Sequence, residues 1–293
     1  MLYTLATFFL RVLKKVGLLK YVTVNFPIVF NQKKITIPLR KEIGYPNVFI
    51  EEDFLLKLMH LFLPAKPGVF VDVGVNIGQT LLKIKTVDRD RKYIGFEPNG
   101  VCVDYTTDLI RLNKYSHCEV RNYALSDRNK RAKLALNELT DASASIIANL
   151  RPDYFKDSIL IDCISFDESG ITEPVSIIKI DVEGAELEVI TGMQQAIDAF
   201  HPLIVCEVLD CYSAEVLDFT QKRADCLCRL LNKHDYIIFQ LHQDKKRIRK
   251  FERVESINIS LWSPASYKLN DYLFCHAEFE QSMIGLLNQL ASV

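Results

Sequence analysis

Carboxylates gathered at glycine-punctuated turns are the residues of this 293-residue chain best placed to do chemistry. The densest group is Ile177-Ile-Lys179-Ile-Asp181-Val-Glu183-Gly184-Ala-Glu186, where an apolar run reads as a buried strand and ends in three acids. A lysine inside such a strand is costly unless paired, and Asp181 stands two residues away. An acid at a strand's carboxyl edge can take a proton from a hydroxyl as general base, worth roughly 10²–10⁴-fold in rate. Asp181 and Glu183 are the candidates, with Glu207, which ends the run Leu203-Ile-Val-Cys, and His201 behind them. The same acids also suit a helix entry, Asp181 as the cap and Glu183 and Glu186 beside the positive end of the helix dipole. The residues alone leave both readings open.

A second turn, Asp72-Val-Gly74-Val-Asn76-Ile-Gly78-Gln-Thr80, follows a short apolar run that begins at Gly68. Leu81, Leu82, Ile84 and Val87 after it fit one face of a helix. Strand, glycine turn and helix bring backbone N–H groups against a ligand. Gly74 and Gly78 sit four apart, which is not the G-x-G-x-x-G dinucleotide spacing, so the turn suits a ligand other than a pyrophosphate. A purely structural turn is the alternative. Glu97, 25 residues after Asp72 in Phe96-Glu97-Pro98, would accept from both hydroxyls of a ribose, or else cap the helix that Pro98 begins. Asn122, in Val120-Arg-Asn122-Tyr-Ala124, would face the same crevice and could read an adenine edge.

These positions need a sheet to align them. Strands are predicted at 69–73, 92–96, 118–122, 175–180, 203–208, 235–240 and 270–275, and helices at 79–87, 99–113, 184–199 and 214–233. The alternation gives a mostly parallel sheet with helices on both faces. Residues 128–168 break it and read as an insertion with short β-type runs at 132–136 and 159–164. Residues 1–65 form a separate N-terminal portion: a helix, a β-hairpin over 22–39 turning at Asn31 and Gln32, and a helix from Glu51 to Leu63, with residues 66–293 as the main domain. In the first helix an apolar stripe precedes Arg11, Lys14, Lys15 and Lys20, an order opposite to that of a secretory signal. Packing on the domain is the expectation for residues 1–20, with peripheral contact to anionic lipid as the alternative. The run Lys245-Lys-Arg-Ile-Arg-Lys250 is expected in a solvated hairpin or loop.

Net charge is −1, which argues against a general nucleic-acid binder. The eight cysteines contain no C-x-x-C pair, and several lie in apolar runs where a thiol acts as a small hydrophobe. A reduced, cytoplasmic chain with no metal site is expected, possible membrane contact being confined to residues 1–20. No apolar run reaches the roughly 18 residues of a membrane span.

Taken in order, Asp72-x-Gly74-x-Asn76-x-Gly78, Phe96-Glu97-Pro98, Asn122-x-Ala124-Leu-Ser126 and Lys179-Ile-Asp181-Val-Glu-Gly184-Ala-Glu186 resemble the FkbM family of S-adenosylmethionine-dependent methyltransferases, over about residues 65–240. The resemblance implies a Rossmann-like α/β fold, a seven-stranded, mostly parallel sheet with an antiparallel last strand. It implies methylation of a hydroxyl, on a sugar, glycan or secondary metabolite. By that resemblance Asp72, Gly74, Asn76 and Gly78 line the methionine end of the cofactor, Glu97 holds its ribose, and Asn122 and Ala124 sit near adenine. The insertion and the residues before 65 then form the acceptor site. The alternative is a domain that binds S-adenosylmethionine without catalysis, as a scaffold or regulator. The fourth strand lacks the Asn/Asp-Pro-Pro-aromatic run of enzymes that methylate nucleic-acid bases, so no nucleic-acid partner is expected.

Overall fold

The computed structural model describes residues 2–151, 153–244 and 247–291, with the side chains of 2–4 and 291 set aside. The chain opens with helix α1 (Leu2–Lys15), followed by a hairpin of β1 (Thr23–Phe30) and β2 (Lys33–Arg40). Asn31 and Gln32 both take positive φ, 45° and 59°, as a tight two-residue hairpin turn requires. A short helix α2 (Tyr45–Val48) leads to α3 (Phe54–Ala65). The latter begins three residues later than the sequence pattern predicts, because Asp53 caps it by accepting from the Leu56 N–H at 3.0 Å.

The alternating part follows: β3 (Val69–Val73), α4 (Gln79–Val87), β4 (Tyr93–Phe96), α5 (Gly100–Asn113) and β5 (Cys118–Arg121). The insertion then folds into β6 (Ala124–Leu125), β7 (Lys130–Leu136) and β8 (Asp157–Ile164), a small separate sheet in the order β6-β8-β7. The main path resumes with β9 (Val175–Ile180), α6 (Glu186–Thr191), α7 (Gln194–Phe200), β10 (Leu203–Glu207), α8 (Leu217–Lys233), β11 (Tyr236–Asp244), β12 (Arg247–Val254), β13 (Asp271–His276) and α9 (Glu280–Ala291).

The main sheet runs β12-β11-β13-β10-β9-β3-β4-β5. From β10 to β5 neighbours are parallel, and β13 lies antiparallel between β10 and β11. This is the expected Rossmann-like α/β sheet with one correction: it has eight strands rather than seven. The eighth, β12, is built from the basic run, and pairs antiparallel with β11. Lys245 and Lys246 lie outside the described residues. Ile248 turns inward while Arg247, Arg249 and Lys250 stay exposed, and charge along an edge strand deters pairing with another chain.

Alternation along each strand divides the side chains between two cores. Val69, Val71 and Val73 of β3 pack with α6, α7 and α8 on one face. Phe70, with Ile177 of β9, Val205 of β10 and Leu273 of β13, packs on the other face against α3, α4, α5, α9 and the hairpin. By the same period of two, Asp72, Lys179, Asp181, Glu207 and Asp271 all belong to that second face. The chain leaves β3 in one direction through β4 and β5 and in the other through β9 and β10, so the carboxyl ends of β3 and β9 flank the switch point where open α/β sheets bind ligands. No described helix is long and apolar enough to cross a membrane, and all eight cysteines are free.

Candidate active site

A cavity of about 880 Å³ opens at this switch point. Its wall includes Gly74 and Asn76 from the first turn, Glu97 after β4, Ala124 of β6, and Asp181 and Glu183 after β9. Those six predicted residues are brought together. Asp72, Gly78 and Asn122 lie behind the wall and hold it in shape.

The turn after β3 is held very tightly. Gly74 takes φ +89°, its N–H donates to Phe96 O at 3.0 Å, and a Cβ there would stand 1.9 Å from Asp181 O. Only glycine allows the two strand ends to approach so closely. Asn76 sits at φ 47°, its N–H donating to Glu97 Oε2 at 2.8 Å. Glu97 Oε1 accepts from the Asn99 N–H, also at 2.8 Å. Burial pushes the Glu97 carboxyl up to about 7, and those two N–H groups pull it back. Gly78, at φ +77°, opens α4, and Asn122 donates its amide to Glu97 O and Pro98 O, fixing the end of β4 rather than facing the cavity.

Asp72 is fully buried. Its Oδ2 accepts from the Tyr93 hydroxyl at 2.5 Å, while Oδ1 has no hydrogen-bond partner among the described residues. Burial raises it to about 6 despite Lys179, which faces it in the β3–β9 register. Lys179 donates to Asp181 Oδ2 at 2.6 Å. Burial disfavours the ammonium, but Asp181 and Asp72 outweigh that and hold Lys179 above the ordinary lysine range.

Around this cation stand further acids on the same face. Glu207 faces Asp271 in the β10–β13 register, and Gln243 donates to Asp271. Burial, then repulsion from Asp181, lifts Glu207 well above the usual carboxylate range and Asp271 to about 7. Glu183 takes φ 56° and pairs with Arg151 of the insertion. Burial and Asp181 push it up to about 7, with Arg151 opposing. Non-glycine residues in the left-handed region cost about 1–3 kcal/mol and collect at functional sites; here Asn76 and Glu183 lie in the turns that follow two neighbouring strands.

The insertion lies across this edge. Ser145 donates its hydroxyl to Glu183 O at 2.7 Å, Asn99 donates to Leu139 O at 2.7 Å, and Leu139, Asp141 and Ile146 line the cavity. On the other side the N-terminal portion contributes Lys14, Lys41 and Glu42, and Lys83 of α4 donates to Asp53 Oδ2 at 2.5 Å at the cavity wall.

His201 is misplaced by sequence reasoning. It precedes β10 at the sheet's amino edge, stacked on His276 at 3.7 Å and bonded through Nδ1 to Glu278 Oε1 at 2.6 Å, far from the carboxyl edge. Asp271, Gln243, Tyr267 and Arg151 line or support the site and were not singled out from sequence. For Asp271 the signal existed: an acid at the start of an antiparallel strand lies at the same edge as acids ending parallel ones.

The cavity fits a nucleoside. A carboxylate at Glu97 suits a ribose diol, and Phe96, Ala124, Leu125 and Leu134 offer an apolar bed for a base.

Residues 72–243, more than half of the chain, match the family described as the methyltransferase FkbM domain. Among solved structures, the FkbM methyltransferase of Methylobacillus flagellatus KT is 18% identical with a TM-score of 0.46, covering 71% of this chain. This chain spans 43% of the length of that one. The ribosomal protein L11 methylase of Lactobacillus delbrueckii subsp. bulgaricus is 7% identical, TM-score 0.40, with 75% of each chain covered. A Streptococcus mutans structure described as a methyltransferase in complex with SAH is 10% identical, TM-score 0.38, covering 70% of this chain and 100% of that one. No curated protein matches.

Proposed function

Because this chain belongs to the FkbM methyltransferase family, we propose that it uses S-adenosylmethionine to methylate a hydroxyl oxygen of a sugar, glycan or secondary metabolite, with Asp181 and Glu183 handling the acceptor. S-adenosylmethionine supplies an electrophilic methyl group on a sulfonium whose departure leaves a neutral thioether. The chain's own residues must hold donor and acceptor in line, move the hydroxyl proton and keep water out.

The backbone of Gly74–Asn76 would hold the methionine end, Glu97 the ribose, and the Phe96–Ala124 side the base. Alignment of this kind contributes up to ~7–11 kcal/mol in favourable cases. Glu183 is the stronger base candidate. A general base works best when its pKa lies near the working pH, and burial together with Asp181 brings Glu183 to about 7. Asp181, tied to Lys179, orients the acceptor beside it. The observation that carries this reading is that Glu183 and the Gly74–Asn76 turn share one cavity wall, with Gly74 packed directly on the Asp181 backbone.

The acceptor end favours a hydroxylated molecule. Lys41, Glu42, Gln243, Tyr267 and Asp271 give it hydrogen-bonding walls. The same carboxylates disfavour a nucleic-acid backbone. The test is Glu183→Gln and Asp181→Asn with a glycan or metabolite acceptor. Turnover should fall on the order of 10²–10⁴-fold for the residue that acts as base while affinity for S-adenosylhomocysteine stays within a few-fold. Unchanged turnover in both variants contradicts the assignment.

A further inference from the structure

The first helix packs on the domain through only part of its circumference. Leu10 is 4% exposed and Leu13 is partly buried in the core, while Arg11 lies over the Phe49 ring at 4.8 Å and the Lys14 ammonium over Tyr45 at 4.4 Å. Leu5, Phe8, Phe9 and Val16 are 69%, 64%, 60% and 58% exposed, and Val12 is exposed with them. At 3.6 residues per turn those five fall within one arc of about 100°, set apart from the arc that holds Leu10 and Leu13. Leu18 and Tyr21, just beyond the helix, are exposed as well. Isolated exposed apolar residues need no explanation, but a contiguous face of large ones marks a contact surface.

Charge identifies the occupant. Residues 5–21 carry four cations and no acid, in a chain whose net charge is −1; Arg11 and Lys14 pack over rings of the domain, while Lys15, next to Phe8 around the helix, and Lys20 are exposed. Leucine, phenylalanine and valine on one arc, with cations beside them, match a helix lying in the plane of an anionic bilayer: rings and aliphatic chains enter the acyl boundary and ammonium groups meet phosphates. An acidic or apolar protein partner would use one of these features; a lipid surface uses both. We propose that residues 5–21 are a docking surface for anionic lipid. The same helix contributes Lys14 to the wall of the cavity, so docking and the candidate active site share one element.

The test is co-sedimentation of the full chain with vesicles of phosphatidylcholine alone or mixed with phosphatidylglycerol. The expected result is binding to the mixed vesicles, weakened by added salt, and little binding to phosphatidylcholine alone. Leu5→Ser/Phe8→Ser/Phe9→Ser should lower vesicle affinity by about tenfold or more. Lys15→Glu/Lys20→Glu, which leaves the helix's packed arc untouched, should also weaken it. Affinity for S-adenosylhomocysteine should stay unchanged in both variants, which separates this proposal from the reading of the active site. Binding to mixed vesicles that neither variant alters overturns the proposal. So does a wild-type chain that ignores vesicles and self-associates in sedimentation through this face, since the occupant is then a second copy.

Discussion

Lys179 donates to Oδ2 of Asp181 at 2.6 Å, two residues along the same strand edge, and both line the cavity at the sheet's switch point. This cation is what allows Asp72, Asp181 and Glu207 to share one face of the sheet. Removing it leaves buried carboxylates without a counterion, at a cost on the order of 3 kcal/mol. For Lys179→Met the loss should grow from about pH 5 toward about pH 8, as Asp72, raised to about 6, and Glu207, raised above the usual carboxylate range, give up their protons. Denaturant unfolding of both proteins at the two pH values checks this; an equal loss at each means that Lys179 acts by packing alone.

Glu97 predicts a proton linkage. Burial pushes it to about 7 from an ordinary 4.5, against the pull of the Asn99 and Asn76 N–H groups. Between those values the folded chain holds a proton that the unfolded chain has released. Its contribution to stability is therefore full below about 4.5 and is lost as pH rises through about 7. A ribose donating to the carboxylate favours the ionised form, so binding near pH 7 should release a proton. Calorimetry of S-adenosylhomocysteine binding in two buffers of different ionisation enthalpy should show that release, and Glu97→Gln should remove it. Proton uptake by the wild type contradicts the assignment.

Gly74→Ala should damage the site without reaching the acceptor side chains. The added Cβ meets Asp181 O at 1.9 Å, and φ +89° is strained for any L side chain. A loss of about 1–3 kcal/mol or more in stability is expected, together with loss of S-adenosylhomocysteine binding. Melting and calorimetry on the same sample measure both. Retained affinity would show that the β3 and β9 ends need not touch.

Arg151 joins the insertion to the turn that carries Glu183, and its guanidinium also donates to Ser143 O at 3.2 Å and lies 4.6 Å from the Tyr212 ring centroid. Arg151→Met should loosen the stretch 137–157 and leave Glu183 more strongly protonated at neutral pH. Faster limited proteolysis there, a fall in turnover and an alkaline shift of the pH–rate profile are expected, with cofactor affinity preserved. Proteolysis and kinetics identical to wild type would remove Arg151 from the account.

Much of this was legible from residue type and spacing. The Gly74–Gly78 turn, Glu97 and the Asp181–Glu183 acids could be placed because a strand followed by a glycine turn fixes which edge each occupies. Distant partners were not legible. Gln243 and Asp271 reach the cavity from β11 and β13, whose order across the sheet no local pattern encodes. The predicted helix 184–199 is two helices because Gly192 packs against Ser126 O, 2.0 Å from where a Cβ would stand, and its carbonyl accepts from Asp167 and Ser165 of the segment after β8. Helical periodicity carries no trace of that tertiary contact. The basic run, expected in a solvated hairpin or loop, contributes Arg247–Lys250 to the second strand of the β11–β12 hairpin; the single inward residue, Ile248, was not legible among the charges. His201 precedes β10 in the chain, which by itself places it at the amino edge, opposite the acids that end the parallel strands.

Transfer of a methyl group to oxygen is read directly from the product. Its most direct test incubates the purified chain with methyl-labelled S-adenosylmethionine and a glycan or metabolite extract, followed by mass analysis of the products. A one-methyl gain on a hydroxyl-bearing acceptor is expected, with the label on oxygen, and is lost with Glu183→Gln or Asp181→Asn. Label on nitrogen or carbon contradicts it, and so does a chain that binds S-adenosylhomocysteine yet transfers no label to any acceptor in the extract.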